Sequence, residues 1–124
     1  MNNEEILPGF DEEVCDYLTI RLQKMGENAL SLEFTGSIDA YNSDYLLNSV
    51  KKLIEAGFVR LSFSLSGVNS ISSTGVATLV SLHRMVTEKG GDLSMVNMQP
   101  KVKTVFSLLH VDRLFRCIDS TEGD

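Results

Sequence analysis

The sequence predicts an α/β domain built on a mixed sheet, and three features of it carry that prediction. Two short segments alternate apolar and polar residues on either side of Gly26-Glu27-Asn28, which supplies turn chemistry and reads as a β-hairpin. Three later stretches repeat apolar residues at helical spacing. Short apolar strands separate those stretches, giving the order β-β-α-β-α-β-α-β. A hairpin followed by alternating units implies a mixed sheet with right-handed crossovers. Each helix has one apolar stripe and each strand mostly one apolar face, so about five strands should carry helices mainly on one face. With 124 residues, the chain has room for a single domain.

The first strand spans residues 17–24, with Leu18, Ile20 and Leu22 opposite Thr19, Arg21 and Gln23. The second, 29–34, sets Leu30, Leu32 and Phe34 against Ala29, Ser31 and Glu33. Residues Gly36 to Ala40 read as a loop, and Asn42, Ser43 and Asp44 offer helix-start signals. Leu46, Leu47, Val50, Leu53 and Ile54 then recur at helical spacing, and Gly57 closes the helix as a left-handed cap. Residues 58–65 form the third strand, with Val59, Leu61, Phe63 and Leu65 on its apolar face. A loop over 66–75 leads into a helix over about 74–89, whose inner face carries Val76, Leu79, Val80 and Val86. Gly90-Gly91 ends that helix, and Leu93 to Met98 forms a short strand. Gln99-Pro100 opens the third helix, because proline fits a first position where no amide bond is lost. Val102, Val105, Phe106 and Leu109 form its stripe, and Leu114 to Ile118 forms the last strand.

The net charge of −6 is unevenly placed. Six of the 17 acids and no base lie in residues 1–16, so the remaining residues hold eleven of each sign. The expected organisation is therefore an acidic extension over 1–16, a domain over 17–119 and a polar tail over 120–124. Scattered Lys and Arg argue against a nucleic-acid partner, which would require a basic surface. No apolar run approaches the roughly 20 residues needed to span a bilayer, so direct membrane insertion is not expected. The N-terminus lacks a basic, then apolar, secretory pattern, and the expected location is the cytoplasm. Cys15 and Cys117 lie far apart and His83 and His110 are isolated, which gives no metal-ligand spacing and no disulfide framework. No cofactor is expected.

The segment 66–75 concentrates hydroxyls before a helix: Ser66, Ser70, Ser72, Ser73 and Thr74, then Gly75. One of them accounts for a helix cap, worth roughly 1 kcal/mol. Three in a row suggest a phosphoacceptor as well. A phosphoserine there would set its charge at the positive end of the helix dipole, among unpaired amides.

Several motifs together resemble a STAS domain of the bacterial anti-sigma factor antagonist type. They are Thr35-Gly36-Ser37-Ile38-Asp39, Leu65-Ser66-Gly67-Val68, Ile71-Ser72-Ser73-Thr74-Gly75-Val76, Gly90-Gly91-Asp92-Leu93, Pro100-Lys101-Val102, and Leu109 through Leu114-Phe115. The resemblance covers about residues 17–119. It implies a partner switch without catalysis of its own: the antagonist binds an anti-sigma factor, typically a serine kinase, and frees the sigma factor. The kinase phosphorylates a serine and releases the antagonist, and a metal-dependent serine phosphatase restores the binding form. The family acceptor falls on Ser73, and the aspartate beside it on Asp39. Asp39, Ser72, Thr74 and Gly75 are then expected to line the partner-facing patch. The family leans toward a monomer or weak dimer that forms a heterocomplex.

Two positions depart from the family pattern. Ser72 stands where an aspartate normally precedes the acceptor, and Ser64 where an aspartate often ends the third strand. The first removes like-charge repulsion beside a phosphate and leaves Ser72 and Thr74 as competing acceptors. Both motivate an alternative in which the fold is a non-phosphorylated scaffold subunit of a signalling or transporter complex. An acyl-transfer triad of a serine with His110 and Asp112, or with His83, ranks below these, since no Gly-x-Ser-x-Gly elbow is present. His110 reads better as a cation at a helix end. Nucleotide binding lacks a Gly-rich loop with lysine. The five methionines read as core filling rather than an adaptable surface.

Overall fold

A computed structural model describes residues 17–119 and, as backbone, residues 12–15. The chain runs β1 (Glu12–Cys15), β2 (Leu18–Met25), β3 (Ala29–Ile38), α1 (Ser43–Glu55), β4 (Arg60–Ile71), α2 (Ser73–Glu88), β5 (Asp92–Val96), α3 (Pro100–Leu108) and β6 (Arg116–Ile118). The six strands lie in sequence order across one sheet. β1, β2 and β3 pair antiparallel, and β3 to β6 pair parallel. The mixed α/β sheet is as expected, with one strand beyond the expected five. That strand, β1, comes from the residues assigned to the acidic extension: its backbone adds to the free edge of β2, with Glu12 opposite Arg21 and Cys15 opposite Leu18.

Alternation along the strands creates two unlike faces. Leu30, Leu32 and Phe34 of β3, Leu61, Phe63 and Leu65 of β4, and Leu93 and Met95 of β5 are buried under the helices. Phe34 and Phe63 meet at the centre, with ring centroids 4.7 Å apart. The helices add Leu46, Val50, Leu53, Val76, Leu79, Leu82, Val86, Val102 and Phe106 to this one cluster. Val59, Leu47 and Val80, expected on the inner faces, pack against its margin and are partly buried, as is Met85. The opposite face of the sheet, with Ser31, Glu33, Ser62 and Ser64, is half-buried and carries no helix among the described residues.

Two segments expected to be loops are strands. β3 continues through Gly36-Ser37 to Ile38, and β4 runs through Ser66-Gly67 to Ile71. Their Ser- and Gly-rich composition suggests turns, but parallel pairing of Gly36 with Val68, Ser37 with Ser70 and Ile38 with Ile71 holds both extended. Each therefore reaches beyond the helix-covered core, and the turns shrink to residues 39–42 and the single residue Ser72. Ser64 consequently lies in mid-strand rather than at the end of β4.

Candidate functional site

The C-terminal ends of β3 and β4 deliver two strand-to-helix turns side by side. A bond from the Ser72 amide to the Ile38 carbonyl, at 2.9 Å, ties them together. Each turn is stabilised by short polar side chains, in different ways.

In the β3–α1 turn, Asp39 accepts at Oδ1 from the amides of Tyr41 (2.9 Å) and Asn42 (3.3 Å), an Asx turn that satisfies amides at the helix entrance. The Asp39 amide donates back to Asn42 Oδ1 at 3.0 Å, and Asn42 Nδ2 donates to the Ser37 carbonyl at 3.0 Å. Ser37 Oγ lies 3.4 Å from Asp39 Oδ2, and Ser43 Oγ donates to the Asp39 carbonyl. Asn42 is fully buried, so its side-chain amide relies on these bonds rather than on water.

The β4–α2 turn is sparser. Ser72 is the N-cap, with extended backbone, and its Oγ accepts from the Gly75 amide at 3.1 Å. Capping is thus fulfilled by Ser72 alone. Ser73 is the first helical residue, exposed, and its hydroxyl has no hydrogen-bond partner among the described residues. Thr74 is exposed one position further on. Gly75 is buried: a Cβ there would lie 2.8 Å from the Ile38 carbonyl oxygen and 2.8 Å from its Cγ2. Its absent side chain lets α2 start against the end of β3.

Two aromatic residues at this end carry no pattern in the sequence. Tyr17 is 88% exposed and Tyr41 is 84% exposed. Tyr17 adopts φ 68°, an uncommon conformation for a residue with a side chain. Its carbonyl accepts from the Ser37 amide at 3.1 Å, and a Cβ on Gly36 (φ 112°) would lie 1.9 Å from that oxygen. Only glycine lets β3 pass so close beneath Tyr17. Exposed aromatics at a rigid edge are typical anchors of protein interfaces.

The histidines stand elsewhere. His83 packs edge-on against Phe115, with centroids 5.3 Å apart. His110 takes φ 58° just beyond α3, where its amide bonds the Ser107 carbonyl and the Val111 amide bonds Phe106, a left-handed helix stop. Its ring shares a surface depression with Ser107, Asp112 and Arg113 but hydrogen-bonds none of them, so no relay to a serine is built there. Among the described residues, no group of His, Cys, Asp and Glu could hold a metal ion, and no helix is long and apolar enough to cross a membrane.

Comparison with known proteins gives a consistent result. The STAS domain family matches residues 20–124. The anti-sigma-B factor antagonist of Bacillus subtilis (strain 168) is 27% identical over 100 residues, covering 81% of this chain and 91% of the relative. The solved structure of the anti-sigma factor antagonist SpoIIAA in its unphosphorylated form superposes with a TM-score of 0.73 at 16% identity, covering 83% of this chain and 89% of that one. The Bacillus cell fate determinant SpoIIAA in its phosphorylated form gives 0.67 at 14% identity, covering 83% of this chain and 92% of that one. These two solved structures share the fold.

Proposed function

The chain belongs to the STAS domain family, and within it we propose that it is an anti-sigma factor antagonist acting as a phosphorylation-controlled partner switch. In the unmodified state it binds an anti-sigma factor that is a serine kinase, which frees the sigma factor. Phosphorylation of Ser73 ends that binding, and a metal-dependent serine phosphatase restores it. The role is one of binding, without a reaction of its own, and its setting is the cytoplasm.

One observation carries this reading. Of the three consecutive hydroxyls, Ser72 is committed to capping α2, whereas Ser73 is exposed and unengaged at the first position of the helix. Phosphate there adds nearly two negative charges beside free helix amides, where the helix dipole tolerates them. The fold therefore survives the modification, while the docking surface around Asp39, Tyr17 and Tyr41 changes sign and bulk. The Ser72 departure fits the same chemistry: a serine caps as an aspartate does, but it places no second carboxylate beside the phosphate.

Two measurements test the reading. Site-resolved phosphopeptide mass spectrometry on protein isolated from its own cells should localise phosphate to Ser73; phosphate on Thr74 would move the acceptor by one residue. Ser73→Asp should weaken binding to the anti-sigma factor by at least about tenfold, since burying an unpaired charge in an interface costs several kcal/mol, while Ser73→Ala binds constitutively. Equal binding by both variants, with residues 72–74 unmodified across growth and stress conditions, would favour a non-phosphorylated scaffold, the reading that Ser72 in place of the family aspartate suggests.

A further inference from the structure

The face of the sheet turned away from the helices contains a row of side chains in direct cross-strand register. Lys24 of β2 pairs with Ser31 of β3, Ser31 with Ser62 of β4, Ser62 with Ser94 of β5, and Ser94 with Arg116 of β6. Register partners project to the same side, and the neighbours Leu30, Leu61 and Leu93 occupy the opposite, buried side. A bulge at Gln23 sets the row's first member: the pairing shifts between Leu22 and Lys24, which turns Lys24 toward Ser31. Three hydroxyls thus stand in line between two cations.

A groove of about 510 Å³ follows this row and is lined by all five of these residues. Ser94 is only 5% exposed, yet its side chain lines the groove and has no hydrogen-bond partner among the described residues. Among the described residues no fully buried side-chain polar atom lacks a partner, so the Ser94 hydroxyl is open to the groove it lines. Each nearby anion has a cation as its cross-strand register partner. Asp92 lies 3.7 Å from Arg60 at the end of the groove, and Glu33, in the next row, is the register partner of Arg21. Lys24 and Arg116 have no such partner among the described residues.

We propose that this row is a binding site for a small molecule carrying one or two phosphoryl groups, independent of the Ser73 end of the domain. Strands stand about 4.8 Å apart, so Ser31 to Ser94 spans about 10 Å and the two cations flank it. A single carboxylate would engage one end of such a row. A phosphoryl group presents several acceptor oxygens, which match hydroxyl donors along the row and the forked guanidinium of Arg116.

The test is an amide NMR titration of the uniformly 15N-labelled full chain with inorganic pyrophosphate, holding ionic strength constant with sodium chloride. The site requires saturable shifts centred on Ser31, Ser62, Ser94 and Arg116. The double variant Lys24→Gln/Arg116→Gln should weaken the apparent affinity by about tenfold or more, as loss of charge-assisted hydrogen bonds does. Ser62→Val, which suits a strand and leaves both cations in place, should weaken it severalfold. Absence of saturable shifts, saturable shifts centred on residues 73–76 instead, or an affinity unchanged in the double variant would each overturn the proposal.

Discussion

Between β3 and α1 the side chains of Ser37, Asp39, Asn42 and Ser43 are all engaged with one another or with the turn's backbone. Between β4 and α2, a few ångströms away, one side-chain bond from the Gly75 amide to Ser72 closes the turn and the next two hydroxyls are left exposed. The contrast shows how a small domain presents a modifiable serine. One turn is over-determined and fixes the position of the Asp39 carboxylate. The other is closed with the least that a helix start requires, so a kinase could take Ser73 without first breaking a native contact. Stability should therefore be concentrated in the first turn and decline step by step toward Ser73.

The largest effect is expected at Asn42. Asn42→Ala leaves the Ser37 carbonyl and the Asp39 amide without their partners at a buried position. The cost should be about 2–4 kcal/mol, from one or two unsatisfied polar groups. Chemical denaturation measures it; a loss below about 1 kcal/mol would mean that the turn is not the rigid partner in the comparison.

Gly75→Ala comes next and probes the seam between the two turns. Alanine ordinarily improves a helix by roughly 0.5–1 kcal/mol over glycine. Here the new methyl would sit 2.8 Å from the Ile38 carbonyl oxygen, a backbone atom that cannot swing aside. Overpacking costs about 1–3 kcal/mol, so a net loss of about 1–2 kcal/mol is expected in the same denaturation experiment. A stabilised variant would show that the turns are less closely joined than the 2.9 Å bond between Ser72 and Ile38 implies.

The sequence made these two turns unequally legible. Clean alternation exposed the hairpin and the apolar face of β4, because those strands bury one face under helices. It failed where the strands outrun that cover. Past Leu65 and Phe34 only Val68, Ile71 and Ile38 are buried, so the pattern dissolves into serine and glycine while pairing keeps the chain extended. β1 was hidden for a related reason: a four-residue edge strand beginning Glu-Glu resembles a solvated tail. At the site, Ser73 stood out through its motif. Asn42 looked like an ordinary helix-start residue, and Tyr17 and Tyr41 had no period to reveal them, since exposure leaves no imprint on spacing. Gly75 was visible as a motif residue, but its burial depends on a neighbour 37 positions away, Ile38.

Ser72→Ala removes the one side-chain bond of the second turn and should cost about 1 kcal/mol. Ser72→Asp should restore it, because a carboxylate accepts from the same amide. If the phosphorylated forms are compared, the order should change. A carboxylate at position 72 stands next to the phosphate on Ser73, and the phosphorylated aspartate variant should lose part of what the cap restores. Denaturation of the four forms separates capping from charge.

The smallest effect belongs to Ser73 itself. Its hydroxyl is exposed and holds no hydrogen bond among the described residues, so Ser73→Ala should change stability by less than about 0.5 kcal/mol. Ser73→Asp should be neutral to slightly stabilising, by about 0.3–1 kcal/mol at low salt, because a negative charge at the start of α2 meets the positive end of the helix dipole. That gain should fade as salt is added. The same substitution is expected to weaken partner binding by at least about tenfold, because it buries an unpaired charge. Opposite signs on stability and on binding from one side chain are what a switch residue requires. If Ser73→Asp instead destabilised the fold, weaker binding would reflect a damaged surface and not a change of charge upon it.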